Sequence, residues 1–165
     1  MLDTDLIEFE IQMTDIPVEP LRHEAGKEVV AKWRVLDMDN DGVFYTDSNG
    51  LEMQERIVGY RPTWNLTTNM TVSANYYPIN SAIAIRDKNS TVQMTVMNDR
   101  SQGGASLQPG TIELMQNRRL LFDDRRGVNE PLDEVNRWEK GIAVNAKYYV
   151  QIFDHTKTKS LQRHM

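Results

Sequence analysis

The sequence predicts an all-β, antiparallel protein, on three observations. Apolar and polar residues alternate with period two through short segments, turn residues separate those segments, and no stretch repeats its apolar residues at helical spacing. Internal repeats and low-complexity tracts are absent.

The elements follow in chain order. Over residues 6–13, Leu6, Glu8, Glu10 and Gln12 alternate with Ile7, Phe9, Ile11 and Met13, the pattern of a half-buried strand. Pro17 and Pro20 lack the N–H that a ladder needs and cannot continue it. Residues 29–36 alternate again, with Val29, Ala31, Trp33 and Val35 on one face and Trp33 reading as core. Asp37-Met38-Asp39-Asn40-Asp41-Gly42 then turns the chain and Val43-Phe44-Tyr45 leads back, so these two segments read as a hairpin. Asp47-Ser48-Asn49-Gly50 is the next turn, and residues 51–58 its return.

A strand over residues 72–80 is interrupted at Pro78, and residues 83–85 and 92–96 flank Asp87-Lys88-Asn89-Ser90 as a hairpin. Gly103-Gly104 and Pro109-Gly110 mark residues 103–110 as a loop. Residues 111–122 begin as a strand with one face buried, carrying Ile112 and Leu114. Residues 128–139 are acidic and irregular, with a bend at Pro131. Tyr148-Tyr149-Val150-Gln151-Ile152-Phe153 is the last strong strand. The polar residues 154–165 are expected to form a disordered tail. Residues 1–165 amount to one domain or part of a larger one.

Composition excludes several classes of function. Hydrophobic residues at 39% and charged residues at 26% describe a globular chain, and no apolar run approaches membrane-spanning length, so no membrane partner is expected. With 19 basic against 24 acidic residues the net charge is −5, which argues against a nucleic-acid partner. Cysteine is absent, and with it any disulfide framework, thiolate nucleophile or thiolate metal site. The first residues lack the basic and apolar regions of a signal peptide, so a secretory protein would carry its signal outside this chain.

Candidate chemistry is sparse. His23, His155 and His164 are isolated, without the converging ligands that zinc requires. Asp37, Asp39, Asp41 and Gly42 match the start of a calcium loop, but Ser48 stands where the bidentate glutamate belongs, which leaves a polar turn. Neither Ser101 nor Ser106 sits in a nucleophile elbow. Asp123 and Asp124 are adjacent, so on a strand they face opposite sides and cannot flank one glycosidic bond; they are expected to cap a turn or bridge Arg118, Arg119, Arg125 and Arg126. The Arg126 guanidinium is a rigid fork suited to sugar hydroxyls or to a carboxylate, with an intramolecular salt bridge the simpler reading from residue type alone. Asn65, Asn69 and Asn89 each open an N-glycosylation triplet, which favours a luminal protein.

The run Glu113-Leu114-Met115-Gln116-Asn117-Arg118-Arg119-Leu120-Leu121-Phe122-Asp123-Asp124-Arg125-Arg126-Gly127-Val128 resembles a segment of the class II α-mannosidases, glycoside hydrolase family 38, especially the lysosomal type. Three more segments agree in the same order: Phe44-Tyr45-Thr46-Asp47-Ser48-Asn49-Gly50, Asn75-Tyr76-Tyr77-Pro78-Ile79-Asn80, and Asp99-Arg100-Ser101-Gln102-Gly103-Gly104-Ala105-Ser106-Leu107. The resemblance implies a fragment of the C-terminal antiparallel β-sandwich, of supersandwich or galactose-mutarotase-like type, downstream of the catalytic domain. It implies retaining enzymes whose zinc ligands and nucleophilic aspartate lie in an upstream α/β domain, so that this chain binds no cofactor, holds no catalytic residue and is inactive alone.

It further implies that Arg126 and Gly127 line the sugar pocket, with Asp124 orienting. The partners are then the catalytic domain of the same α-mannosidase and a mannose-containing oligosaccharide, in the lysosome or another secretory-pathway lumen. Ser101-Gln102, residues 21–24 and Arg125 depart from the family pattern, and the last twenty or so residues match loosely. Strands cut from their neighbours would expose edges, so self-association is expected. A different class of function, a free-standing carbohydrate-binding β-sandwich, would need clustered exposed aromatics, whereas Trp33, Trp64 and Trp138 are far apart in sequence.

Overall fold

A computed structural model describes residues 7–16, 26–47, 49–65, 67, 70–120, 122–123, 127–128 and 131–156, and for residues 13–16 and 26 the backbone alone. The described residues form ten strands and a short 3-10 turn at Ser73–Asn75. In order the strands are β1 (Ile7–Ile16), β2 (Gly26–Val35), β3 (Val43–Asp47), β4 (Met53–Ile57), β5 (Tyr77–Ile79), β6 (Ala82–Arg86), β7 (Val92–Asn98), β8 (Gln102–Ala105), β9 (Thr111–Arg119) and β10 (Tyr148–Asp154). They build two antiparallel five-stranded sheets, β1-β2-β9-β8-β5 and β10-β7-β6-β3-β4, packed as a sandwich.

The core is made by the alternate residues that period two turns inward. Ala31, Trp33 and Val35 of β2 and Ile112 and Leu114 of β9 meet Phe44 of β3, Ile83 and Ile85 of β6 and Met94 and Val96 of β7. Each of the Val, Ile, Leu, Met and Phe side chains among them contributes about 1.5–3 kcal/mol by leaving water. The expected β6–β7 hairpin, the β3–β4 hairpin over Asn49-Gly50 and the β10 strand all form.

Four local expectations are corrected. β2 and β3 are not a hairpin: β2 pairs with β1 and β9, while β3 pairs with β4 and β6 in the other sheet. The link between them crosses the sandwich, using positive φ at Asp37 (62°), Asp41 (50°) and Gly42 (71°). Gly103-Gly104 is not loop but the middle of β8. A Cβ on Gly104 would lie 2.6 Å from Leu114 Cδ2 and 2.8 Å from Ile79 Cγ1, so glycine serves close packing there. On the opposite face the bare Gly103 admits the Tyr76 ring, whose Cδ1 would be 3.3 Å from a Cβ.

Pro78 does not interrupt its strand but sits within β5, paired with Gly103 at the edge of its sheet, where a missing N–H is harmless. Finally, β1 is not half buried: Phe9 is 58% and Ile11 63% exposed. The reason is overhang. Trp33 of β2 meets Tyr148 of β10 at 4.8 Å between ring centroids, and β10 is the outermost strand of its sheet, so no described strand lies over β1.

In β9 both faces are buried at first, since Glu113, opposite the core, is only 7% exposed. The strand then bulges. Val30 pairs with Met115 and Val29 with Asn117, which leaves Gln116 as the extra residue and bends the strand that leads into residues 120–127. Residues 157–165 of the expected tail lie outside the described residues.

Candidate functional site

Each of the four segments that carry the resemblance has one end at the same rim of the sandwich. Antiparallel pairing dictates this: β3 ends at Asp47, β6 starts at Ala82 opposite Met97, β10 starts at Tyr148 opposite Asn98, and β9 runs past the start of β8. The rim therefore gathers the β3–β4 turn, the β5–β6 and β7–β8 links, the end of β9 and the start of β10.

Asp47 anchors it. The carboxylate, 2% exposed, accepts N–H bonds at Oδ1 from Asn80 (3.1 Å), Ser81 (2.8 Å) and Ala82 (3.0 Å), and the Ser81 hydroxyl donates to Oδ2 at 2.5 Å. Burial alone would push its pKa up. The four donors outweigh it, so Asp47 titrates below the ordinary carboxylate value. Beside it Ser101 Oγ donates to Asn80 Oδ1 at 3.0 Å, and Asn98 Nδ2 donates to the carbonyls of Ile79 (3.1 Å) and Arg100.

A second cluster holds the bulge. Gln102 Nε2 donates to the Met115 carbonyl at 3.0 Å and to the Tyr148 hydroxyl at 2.8 Å, and that hydroxyl donates to Gln116 Oε1. Burial raises the Tyr148 pKa. On the outer face of β9, Tyr76 donates to Glu113 Oε1 at 2.6 Å while Lys32 Nζ stands 3.6 Å from Oε2; burial and then the Glu113 bond drive the Tyr76 pKa far above normal. Three buried polar atoms of the rim, Asn98 Oδ1, Gln102 Oε1 and Arg119 Nε, find no partner among the described residues.

Of the residues singled out from sequence, Asp124 and Arg126 lie outside the described residues, as do Asn69, His23 and His164. Gly127 is exposed, with nothing within 4 Å of where a Cβ would stand. Asn65 and Asn89 are exposed. Asp123 is half-buried, and Arg125, like Asp124 and Arg126, lies outside the described residues; of the two described arginines, Arg118 Nε donates to Glu28 Oε2 at 3.0 Å across β2–β9, and Arg119 Nη2 reaches the Asp133 carbonyl at 3.5 Å.

The Asp37–Gly42 stretch is a polar turn in which Asp39 accepts the Asp41 N–H at 2.8 Å and pairs with Lys88 at 2.6 Å. No described group of three or more His, Cys, Asp and Glu is placed to hold a metal ion. Sequence reading missed the Gln102–Tyr148–Gln116 cluster, whose members are up to 46 residues apart and meet only through strand pairing.

The model of the C-terminal domain of family 38 glycosyl hydrolases matches residues 3–126. The lysosomal alpha-mannosidase of Felis catus is 50% identical over 135 residues, 81% of this chain and 13% of the relative. That of Homo sapiens is 50% identical over 124 residues, 74% of this chain and 12% of the relative. The alpha-mannosidase of Canavalia ensiformis is 39% identical over 155 residues, 91% and 15% respectively. The chain thus spans about an eighth of the length of these relatives. On the match over residues 3–126, it belongs to the glycosyl hydrolases of family 38, within their C-terminal domain.

Proposed function

We propose that this chain is the β-sandwich portion of an α-mannosidase that hydrolyses α-mannosides of N-glycans with retention. It packs on the catalytic domain of the same polypeptide, lends residues 124–127 to that domain's sugar pocket, and is inactive alone. The observation that carries the reading is the convergence of the four resembling segments on one rim, from which β9 leads directly towards residues 120–127. Binding groups usually sit on loops held by a rigid scaffold.

In that pocket Arg126 offers its fork of donors to sugar hydroxyls or to a carboxylate, Asp124 orients the fork, and Gly127 lets ligand approach the backbone. On this reading zinc and the two carboxylates of retaining hydrolysis belong to the catalytic domain. The names of the relatives support a lysosomal lumen, where Asn65, Asn69 and Asn89 would be glycan acceptors. The long outer edges of β1 and β10 support self-association of the chain when it is separated from its parent.

The experiment compares α-mannoside hydrolysis by the chain with zinc, by its mixture with the catalytic domain, and by the full-length protein with Arg126→Ala. Silence alone, activity in the mixture and a loss of about 100-fold in kcat/KM for the variant are expected. Unchanged kcat and KM would remove Arg126 from the pocket, and zinc-dependent activity of the chain alone would move the catalytic centre into it. Mannoside binding by the chain alone would favour the free-standing module instead.

A further inference from the structure

Between β9 and β10 the described residues form an arm without sheet pairing to the sandwich, and five of their large apolar side chains face outward. Val128, Leu132, Val135, Trp138 and Ile142 are all exposed within fifteen residues, whereas β6 and β7 bury most of their apolar side chains. A contiguous display of this kind marks an interaction surface.

The arm is shaped rather than loose. Leu120 N–H donates to the Leu132 carbonyl at 3.0 Å, and Arg119 reaches Asp133, which tie its first part to the end of β9. Its tip is a tight turn. Asn136 Oδ1 accepts the N–H of Trp138 (2.9 Å) and of Lys140 (3.2 Å), Asn136 N–H donates to the Lys140 carbonyl at 2.7 Å, and Val135 bridges Gly141. Glu139 is held at φ 60°, a left-handed conformation costly for a residue with a Cβ and retained where a turn is over-determined. The turn lifts Trp138 out, 64% exposed, with the Arg137 guanidinium 3.9 Å from its ring centroid.

We infer that this arm, with Trp138 as anchor and Arg137 beside it, is the surface by which the sandwich grips the domain that forms the sugar pocket. Trp and Arg are the side chains most enriched at the energetic centres of protein interfaces, and a ring of apolar neighbours excludes water around them. Two observations choose this occupant. The arm continues directly from residues 124–127, so whatever body the loop reaches lies within a few residues of it. The relatives also carry some seven-eighths of their length outside the matched region, which supplies such a body. A pyranose is the poorer occupant, because Arg137 already covers the indole.

The inference rests on the reading that a catalytic domain lies alongside, and its test is separate from that of Arg126. Because the chain has no cysteine, Val135→Cys and, as a second site, Ile142→Cys give single thiols, with Gln108→Cys at the far rim as control. Modification by a small thiol reagent is followed by site-resolved mass spectrometry in the chain alone and in the full-length protein, together with mannosidase activity. Slowing of at least tenfold at residues 135 and 142 in the full-length protein, with residue 108 unchanged, is expected. Equal rates in both would overturn the inference even if Arg126→Ala abolished activity. Protection that appears only on adding a mannoside would overturn it too and assign the arm to sugar.

Discussion

The two rims of the sandwich differ in how completely they satisfy themselves. At the far rim Asn40, nearly fully buried, donates to the Val43 carbonyl (2.7 Å) and to Ser106 Oγ (3.1 Å) and accepts the Gly110 N–H (2.9 Å). Around it Asp39 N–H donates to Asp87 Oδ1 at 3.0 Å, Lys88 N–H to the Asp39 carbonyl at 2.8 Å, and Val35 N–H to the Gly110 carbonyl at 3.0 Å. At the near rim Asp47 is equally saturated, but Asn98, Gln102 and Arg119 keep unspent polar capacity just where β9 departs. The far rim closes the fold. The near rim leaves polar atoms unpaired among the described residues, beside an arm of exposed apolar side chains, and the proposed packing on a second domain would supply partners for both.

If the far rim is purely structural, breaking it must cost stability most. A Cβ on Gly110 would meet the Val35 carbonyl at 2.6 Å and the Met38 carbonyl at 2.8 Å, at a φ of +69° that side chains disfavour. Backbone atoms cannot move aside as side-chain ends do, so Gly110→Ala is expected to cost about 4 kcal/mol by denaturant unfolding. Asn40 would then also lose its Gly110 donor. A cost under about 1 kcal/mol would show that this rim tolerates slack and would weaken the contrast.

Much of this architecture is legible in sequence, and what is not fails for reasons of range. A hairpin turn locates β6 and β7, a run of aromatic and β-branched residues locates β10, and period two locates β2. The same pattern cannot tell whether an opposing sheet reaches that far, and so β1 reads as half buried when it overhangs. Turn residues announce a reversal without saying which sheet the chain enters next, which is how the crossing at Asp37–Gly42 passes for a hairpin. Gly103-Gly104 has two physical meanings, a turn or a close approach, and the neighbours that decide between them are Ile79 and Leu114. The proposed pocket residues are legible only through resemblance, since Arg126 by type alone reads as a salt bridge, while the near-rim cluster has no local signature at all.

Asp47 tests whether the near rim is locally as firm as the far one. Its carboxylate titrates below the usual value, so its contribution is complete above the unfolded-state pKa near 4 and disappears as pH falls through the lower folded value. Asp47→Asn keeps the shape but loses the anion and turns an N–H₂ towards donors. A loss of about 3 kcal/mol is expected at pH 7 and at pH 5. The gap between native and variant midpoints should close as the pH is taken well below 4. A gap that persists undiminished at low pH would mean that the anion is not what stabilises the β5–β6 link.

The smallest effect is the most diagnostic. Tyr148→Phe removes the hydroxyl that joins Gln102 to Gln116, leaves the ring against Trp33, and adds one more unsatisfied amide to a rim that already tolerates several. Stability should fall by only about 1 kcal/mol. The bulge at Gln116, however, sets the direction in which β9 leaves the sheet, so its loosening should appear locally, as faster amide exchange from Gln116 to Arg119 with β6 and β7 unchanged. If exchange accelerates throughout the sandwich instead, the hydroxyl is part of the core and the near rim is merely a weaker copy of the far one. If only the end of β9 responds, the cluster is a local brace. The direction in which β9 leaves the sheet is then set by Gln102, Gln116 and Tyr148, at little cost to the fold that carries it.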